Sequence, residues 1–110
     1  MYEIKLNKGG VTKEYAKDYI NVEDNLLAID HSARQNAFVS DKKAAFDSKQ
    51  TRKLNEAYLQ MFVDMYGKQF TVADLKTADV ETLNVLDNLY VDALGRGKNE
   101  TEETDEKKEQ

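Results

Sequence analysis

From Arg96 to Gln110 the chain carries no hydrophobic side chain and ten charged ones, four basic and six acidic. A stretch of that kind cannot offset its own chain entropy by burial, so residues 96–110 are expected to form a disordered charged tail. The hydrophobic 40% of the 110-residue sequence therefore falls within residues 1–95. A body of that length has apolar surface for one core and not for two, so 1–95 is expected to be a single domain. Each well-buried large apolar side chain contributes about 1.5–3 kcal/mol, and chain ordering offsets most of the total. A stand-alone fold is possible with little stability to spare.

Charge excludes further classes. The formal net charge is −5, of which the tail supplies −2 (four basic, six acidic), leaving −3 for the body. A body of that sign has no electrostatic hold on phosphate backbones, so nucleic acid is not expected as a partner. The sequence has no Cys, which rules out disulfides, zinc–thiolate sites and thiol nucleophiles and fits a reducing compartment. The opening MYEIKL reads as a strand and not as the basic-then-apolar pattern of a signal peptide. No apolar run approaches the roughly 18–20 residues that cross a bilayer. The expectation is a soluble intracellular protein without a membrane partner.

Periodicity gives the elements. Tyr2, Ile4 and Leu6 alternate with Glu3 and Lys5, as a strand with one apolar face does. Asn7-Lys8-Gly9-Gly10 has the glycines that a tight turn with positive φ needs, and Val11 to about Lys17 returns with Val11 and Tyr15 on one face. A lone hairpin is unstable and must lean on helices. Asn21 is placed to cap a first helix from about Val22 to Phe38, with Asp24 at capping-box spacing and Glu23 favoured at the positive helix end. Leu26, Ile29, Ala33 and Ala37 form its narrow apolar stripe, with Leu27 beside it; the small residues permit close approach of another helix.

A second helix begins near Asp41 or near Ser48, capped by Ser40 or Asp47. Its stripe is Leu54, Tyr58, Met61 and Met65, widened by Ala57 and Phe62, and Gly67 stops it. Phe70 to Leu75 restarts the chain, with Thr71 and Asp74 at capping-box spacing and Phe70 and Leu75 able to staple across the cap. Asp79 is expected to cap a last helix reaching Leu94, with the stripe Leu83, Leu86, Tyr90 and Ala93 flanked by Leu89 and Leu94. The fold expected is α+β and mostly helical, a short N-terminal hairpin packed on about three main helices. No internal repeat and no sustained heptad array is present.

No catalytic, cofactor-binding or metal-binding residue emerges. His31 is the only histidine, and Asp30 and Ser32 beside it lie on different helix faces, so a satisfied or surface histidine is expected. Gly9-Gly10 is a turn and not a phosphate loop, because no helix follows it directly. What stands out is the aromatic and Met load of the second and last helices. Tyr58, Phe62, Met65, Tyr66, Phe70 and Tyr90 are the candidate surface for a client or a second copy, since a small body cannot bury every face of three helices and a hairpin. Self-association into a homo-oligomer is expected on the same ground.

The stretch FVDMYGKQFTVADLKTADVETLNVLDNLYVDALG, Phe62 to Gly95, resembles the tail assembly chaperones of long-tailed phages and prophages of Gram-positive bacteria. In that family an apolar helix ends in an aromatic-Gly pair, followed by a Gln/Phe-Thr step, a short helical turn and an acid-capped final helix. Tyr66-Gly67, Gln69-Phe70-Thr71 and Asp79-Val80-Glu81 occupy those places. The N-terminal hairpin and Lys13–Ile20 look similar too, so the likeness covers most of residues 2–95. The chain departs from it in the polar 39–51 segment and in a first helix poorer in large apolar residues.

The resemblance implies a non-enzymatic helper in the cytoplasm of the infected or lysogenic host, absent from the mature virion. It would keep the hydrophobic tape-measure protein soluble and promote polymerisation of tail-tube subunits around it. A frameshift-extended product, joined near Lys107-Lys108, would recruit the tail-tube protein. A structural phage part such as a head–tail connector component is the competing reading, and a small enzyme or regulator ranks last because no site is present.

Overall fold

The computed structural model describes residues 2–95; the tail expected at 96–110 lies outside the described residues. Strands β1 (Tyr2–Lys8) and β2 (Val11–Lys17) form an antiparallel hairpin. Helices α1 (Val22–Ser40), α2 (Lys42–Ala45), α3 (Ser48–Met65), α4 (Val72–Lys76) and α5 (Thr82–Ala93) follow. The α+β, mostly helical expectation holds.

Lys8 pairs with Val11, so Gly9 and Gly10 alone make the turn, with φ of 60° and 81°. Two consecutive positive φ values suit the right-handed twist of a two-residue hairpin and are open to glycine at little cost. The alternation of β1 buries Ile4 and Leu6, and the Tyr66 hydroxyl donates to the Tyr2 carbonyl at 3.0 Å, tying the strand to the end of α3. At the other end of the hairpin Lys8 reaches Asp74 of α4.

Capping decides the helix boundaries. Asn21 and Asp24 form a reciprocal box, the Asp24 N–H donating to Asn21 Oδ1 at 2.8 Å and the Asn21 N–H to Asp24 Oδ2 at 3.0 Å. Thr71 and Asp74 repeat the arrangement at α4. Both satisfy donors that a helix start leaves unpaired. Between α1 and α3 both anticipated starts are used, but one cap changes: Ser40 lies inside α1, and Asp41 in its place accepts from Lys43 N–H at the head of α2, while Asp47 accepts from Lys49 N–H at the head of α3. The α3 C-terminus closes as a Schellman motif, with Lys68 N–H bonded to the Val63 carbonyl and Gly67 at φ 73°. The start of the last helix also differs from the sequence reading. The Asp79 carboxylate accepts from Glu81 N–H and caps a preceding turn, so α5 itself starts only at Thr82.

The core collects Ile4 and Leu6 of β1, Ala28 of α1, Met61, Phe62, Val63 and Met65 of α3, Phe70, Leu75 of α4, and Leu86, Leu89 and Ala93 of α5. The last two turns of α3 are its centre: of residues 61–66 only Asp64 is not buried.

Candidate interaction surface

The six aromatic and Met residues singled out above do not form an open surface. Phe62, Met65, Tyr66 and Phe70 are all buried, and Tyr58 and Tyr90 are half-buried. The line Tyr58, Phe62, Tyr66 looks marginal on a helical wheel drawn for α3 alone. In the fold the hairpin, α1 and α5 surround that end of α3, and the margin becomes the middle. Tyr58 packs edge-to-face on Phe62 at 4.7 Å and on Tyr90 at 5.3 Å, distances at which ring quadrupoles attract. Its hydroxyl donates to Asp87 at 2.6 Å, and burial together with that carboxylate holds the phenol protonated far above its ordinary range. Around Phe70 a second set forms with Tyr15 at 5.0 Å and Tyr66 at 5.4 Å. These rings fasten the elements together.

His31 belongs to the first set, 5.0 Å from the Tyr58 ring and 5.8 Å from Tyr90. It is buried, and its Nε2 has no hydrogen-bond partner, so it is neither a surface residue nor a fully satisfied one. Burial, with Arg34 nearby, lowers its pKa from 6.5, and Asp30 only partly opposes them. The native state therefore keeps His31 neutral where the unfolded chain takes up a proton. Stability is unaffected above pH 6.5 and falls as pH drops below it, by at most about 1.4 kcal/mol per pH unit until the folded pKa is reached. Urea titrations between pH 7 and pH 5 should show that decline, and His31→Phe should flatten it over the upper part of that range; an unchanged slope would assign the effect to other groups.

The apolar surface that the body leaves uncovered lies elsewhere. The stripe read as the packing face of α1 points to solvent: Leu26 is 53% exposed and Ile29 50%, Ala33 and Ala37 are exposed too, and Val22, one turn before Leu26, is 75% exposed. The buried residues of α1 are Asp24, Ala28 and His31, about half a turn around the helix from the stripe. Polar anchors fix this orientation. Lys17 Nζ sits 2.7 Å from Asp24 Oδ2 and donates to the Met65 carbonyl. Asn25 donates to the Ala93 carbonyl at 2.6 Å, and the Tyr90 hydroxyl to Gln35 at 3.1 Å. Ala28, with no exposed surface, lets α1 approach closely. Tyr19, just ahead of the helix, is exposed as well.

A second apolar feature is a groove of about 440 Å³ between α3, α4 and the start of α5, lined by Tyr58, Leu59, Leu75, Val80, Leu83 and Leu86 among others. Val80 at 73% exposure and Leu83 stand on its rim. Phe46, between α2 and α3, is 90% exposed. Sequence reasoning missed Val22, Val80 and Phe46 as surface; nothing in the local pattern separates an exposed valine from a buried one.

Among the described residues no group of three or more His, Cys, Asp or Glu side chains is placed to hold a metal, and no helix is long and apolar enough to cross a membrane. The arrangement offers apolar area and no reactive constellation. Comparison with curated proteins and with solved structures yields no match. The family described as phage tail chaperone protein matches residues 1–110. With the match spanning the whole sequence, the chain belongs to the phage tail chaperone family.

Proposed function

We propose that this protein binds the tape-measure protein in the host cytoplasm, keeps it soluble, and promotes polymerisation of tail-tube protein around it, without entering the finished virion. The observation that carries the reading is the outward apolar face of α1, backed by a buried polar face. A helix that only completed a core would present those sides the other way round, because burying Asp24 and His31 costs free energy that burying Leu26 and Ile29 returns. Apolar surface retained at that cost suits a holdase, and the net charge of −5 keeps loaded complexes apart. Tail-tube recruitment through a frameshift-extended form belongs to the same reading. The protein's role is binding and not catalysis.

Co-expression with the tape-measure gene is the test. The expected result is tape-measure protein moving from the pellet to the supernatant and co-purifying with this chain. A pellet unchanged by the chain's presence would overturn the reading, as would stoichiometric recovery of the chain in purified particles.

A further inference from the structure

We propose that the outward face of α1 seats an amphipathic helix of another chain, one whose apolar seam is bordered by Lys and Arg. The inference rests on the chaperone reading for the existence of a client and adds the face and the chemistry that receive it.

Val22, Leu26, Ile29 and Ala33 repeat at spacings of 4, 3 and 4, the seam against which the knobs of a second helix fit. The seam is three turns long, about 16 Å at 1.5 Å per residue. It cannot roll inward, because Asp24 and Asn25 hold the opposite side of α1 to β2 and α5.

Charge selects the occupant. Glu23 and Asp30 run along one edge of the seam, both exposed, and Asp18 precedes the helix. Arg34 is the one Lys or Arg on α1, and Asp30 already engages it at 3.0 Å. A second copy meets this border badly. Antiparallel pairing about the Leu26–Ile29 midpoint sets Glu23 of one copy midway between Asp30 and Arg34 of the other, so the edges gain nothing net, and parallel pairing puts two acidic helix starts side by side. Four side chains fall far short of the roughly 800 Å² per partner of a standard stable interface, so this seat holds its occupant weakly and reversibly, as a client that must later be released requires. A client seam bordered by Lys and Arg meets complementary charge, and a client that repeats the seam can seat several copies of this chain along its length.

The test uses the full chain and two synthetic 21-residue helical peptides sharing one Leu seam, the first bordered by Lys and the second by Glu. Fluorescence anisotropy should show the Lys-bordered peptide binding at least 10-fold more tightly, and the advantage shrinking as salt rises. Leu26→Asn with Ile29→Asn should lose at least 10-fold, with the circular dichroism spectrum unchanged because both positions are exposed. Glu23→Lys with Asp30→Lys should reverse the peptide preference, and Val80→Asn in the groove should leave it intact.

Binding that survives the Leu26/Ile29 change, or that Val80→Asn abolishes, would overturn the assignment. So would light scattering that shows a dimer of the free chain dissociated by the Leu26/Ile29 change, since a second copy would then be the occupant. In the co-expression assay, solubilisation by the Leu26/Ile29 variant equal to wild type removes this seat and leaves the chaperone reading standing. No solubilisation by wild type removes that reading, while the peptide titrations judge the seat alone.

Discussion

Lys17→Met is expected to destabilise the protein by about 3–5 kcal/mol, the cost of leaving a buried carboxylate without its partner. The Asp24 side chain is 3% exposed and its ammonium partner 12%. Asp24 Oδ2 also accepts the Asn21 N–H of the capping box, so the carboxylate cannot swing out to water without uncapping α1. A body of this size has only about 5–15 kcal/mol of total stability, and this loss is a large share of it. Asp24→Asn should cost less, because an amide oxygen still serves the cap and Lys17 keeps the Met65 carbonyl. Combining the two changes should recover much of the Lys17→Met loss, since no buried charge is then unpaired; neighbours in one network are not additive. Urea denaturation followed at 222 nm measures all three. A Lys17→Met variant within 1 kcal/mol of wild type would show that water reaches Asp24 and that the pair is not what orients α1.

That orientation is the part of the fold the sequence hid. Local rules placed the hairpin turn at Gly9-Gly10, the boxes at Asn21/Asp24 and Thr71/Asp74, and the stop at Gly67, because each needs only residues within a few positions of one another. A 3–4 apolar stripe says that one side of a helix is apolar and does not say what lies against it. In α1 the decision belongs to Lys17, seven positions before Asp24, whose amine reaches both that carboxylate and the end of α3. Asp24, Ala28, His31 and Gln35 also share a 4, 3, 4 spacing, a polar stripe with one small residue that periodicity counting passes over. Reading α3 failed in the opposite direction. Tyr58, Phe62 and Tyr66 read as the margin of a wide stripe, whereas a wide stripe marks the helix that has neighbours on most sides. Both corrections shift the uncovered apolar surface from the aromatic helices to α1, the main helix with the smallest share of large apolar side chains.

Phe62→Ala is the second large effect, an expected loss of about 3–5 kcal/mol. Phe62 has no exposed surface, and its loss opens a hole at the point where α3 meets its neighbours. The size of the penalty depends on whether the walls collapse. Tyr58 is the nearest ring, but its hydroxyl is bonded to Asp87 and its ring packs perpendicular to Tyr90, so moving it inward breaks contacts worth nearly as much as those regained. The loss should therefore sit toward the upper end of that range, with Phe62→Leu well below it because most of the volume stays filled. Phe46→Ala is the control of the same chemistry: at 90% exposure it should change stability by less than about 0.5 kcal/mol. A Phe62→Ala loss under about 1 kcal/mol would mean that the aromatic set repacks freely. In that case those rings would be adaptable enough to open toward a client, and the rigid backing on which an outward-facing α1 depends would be missing.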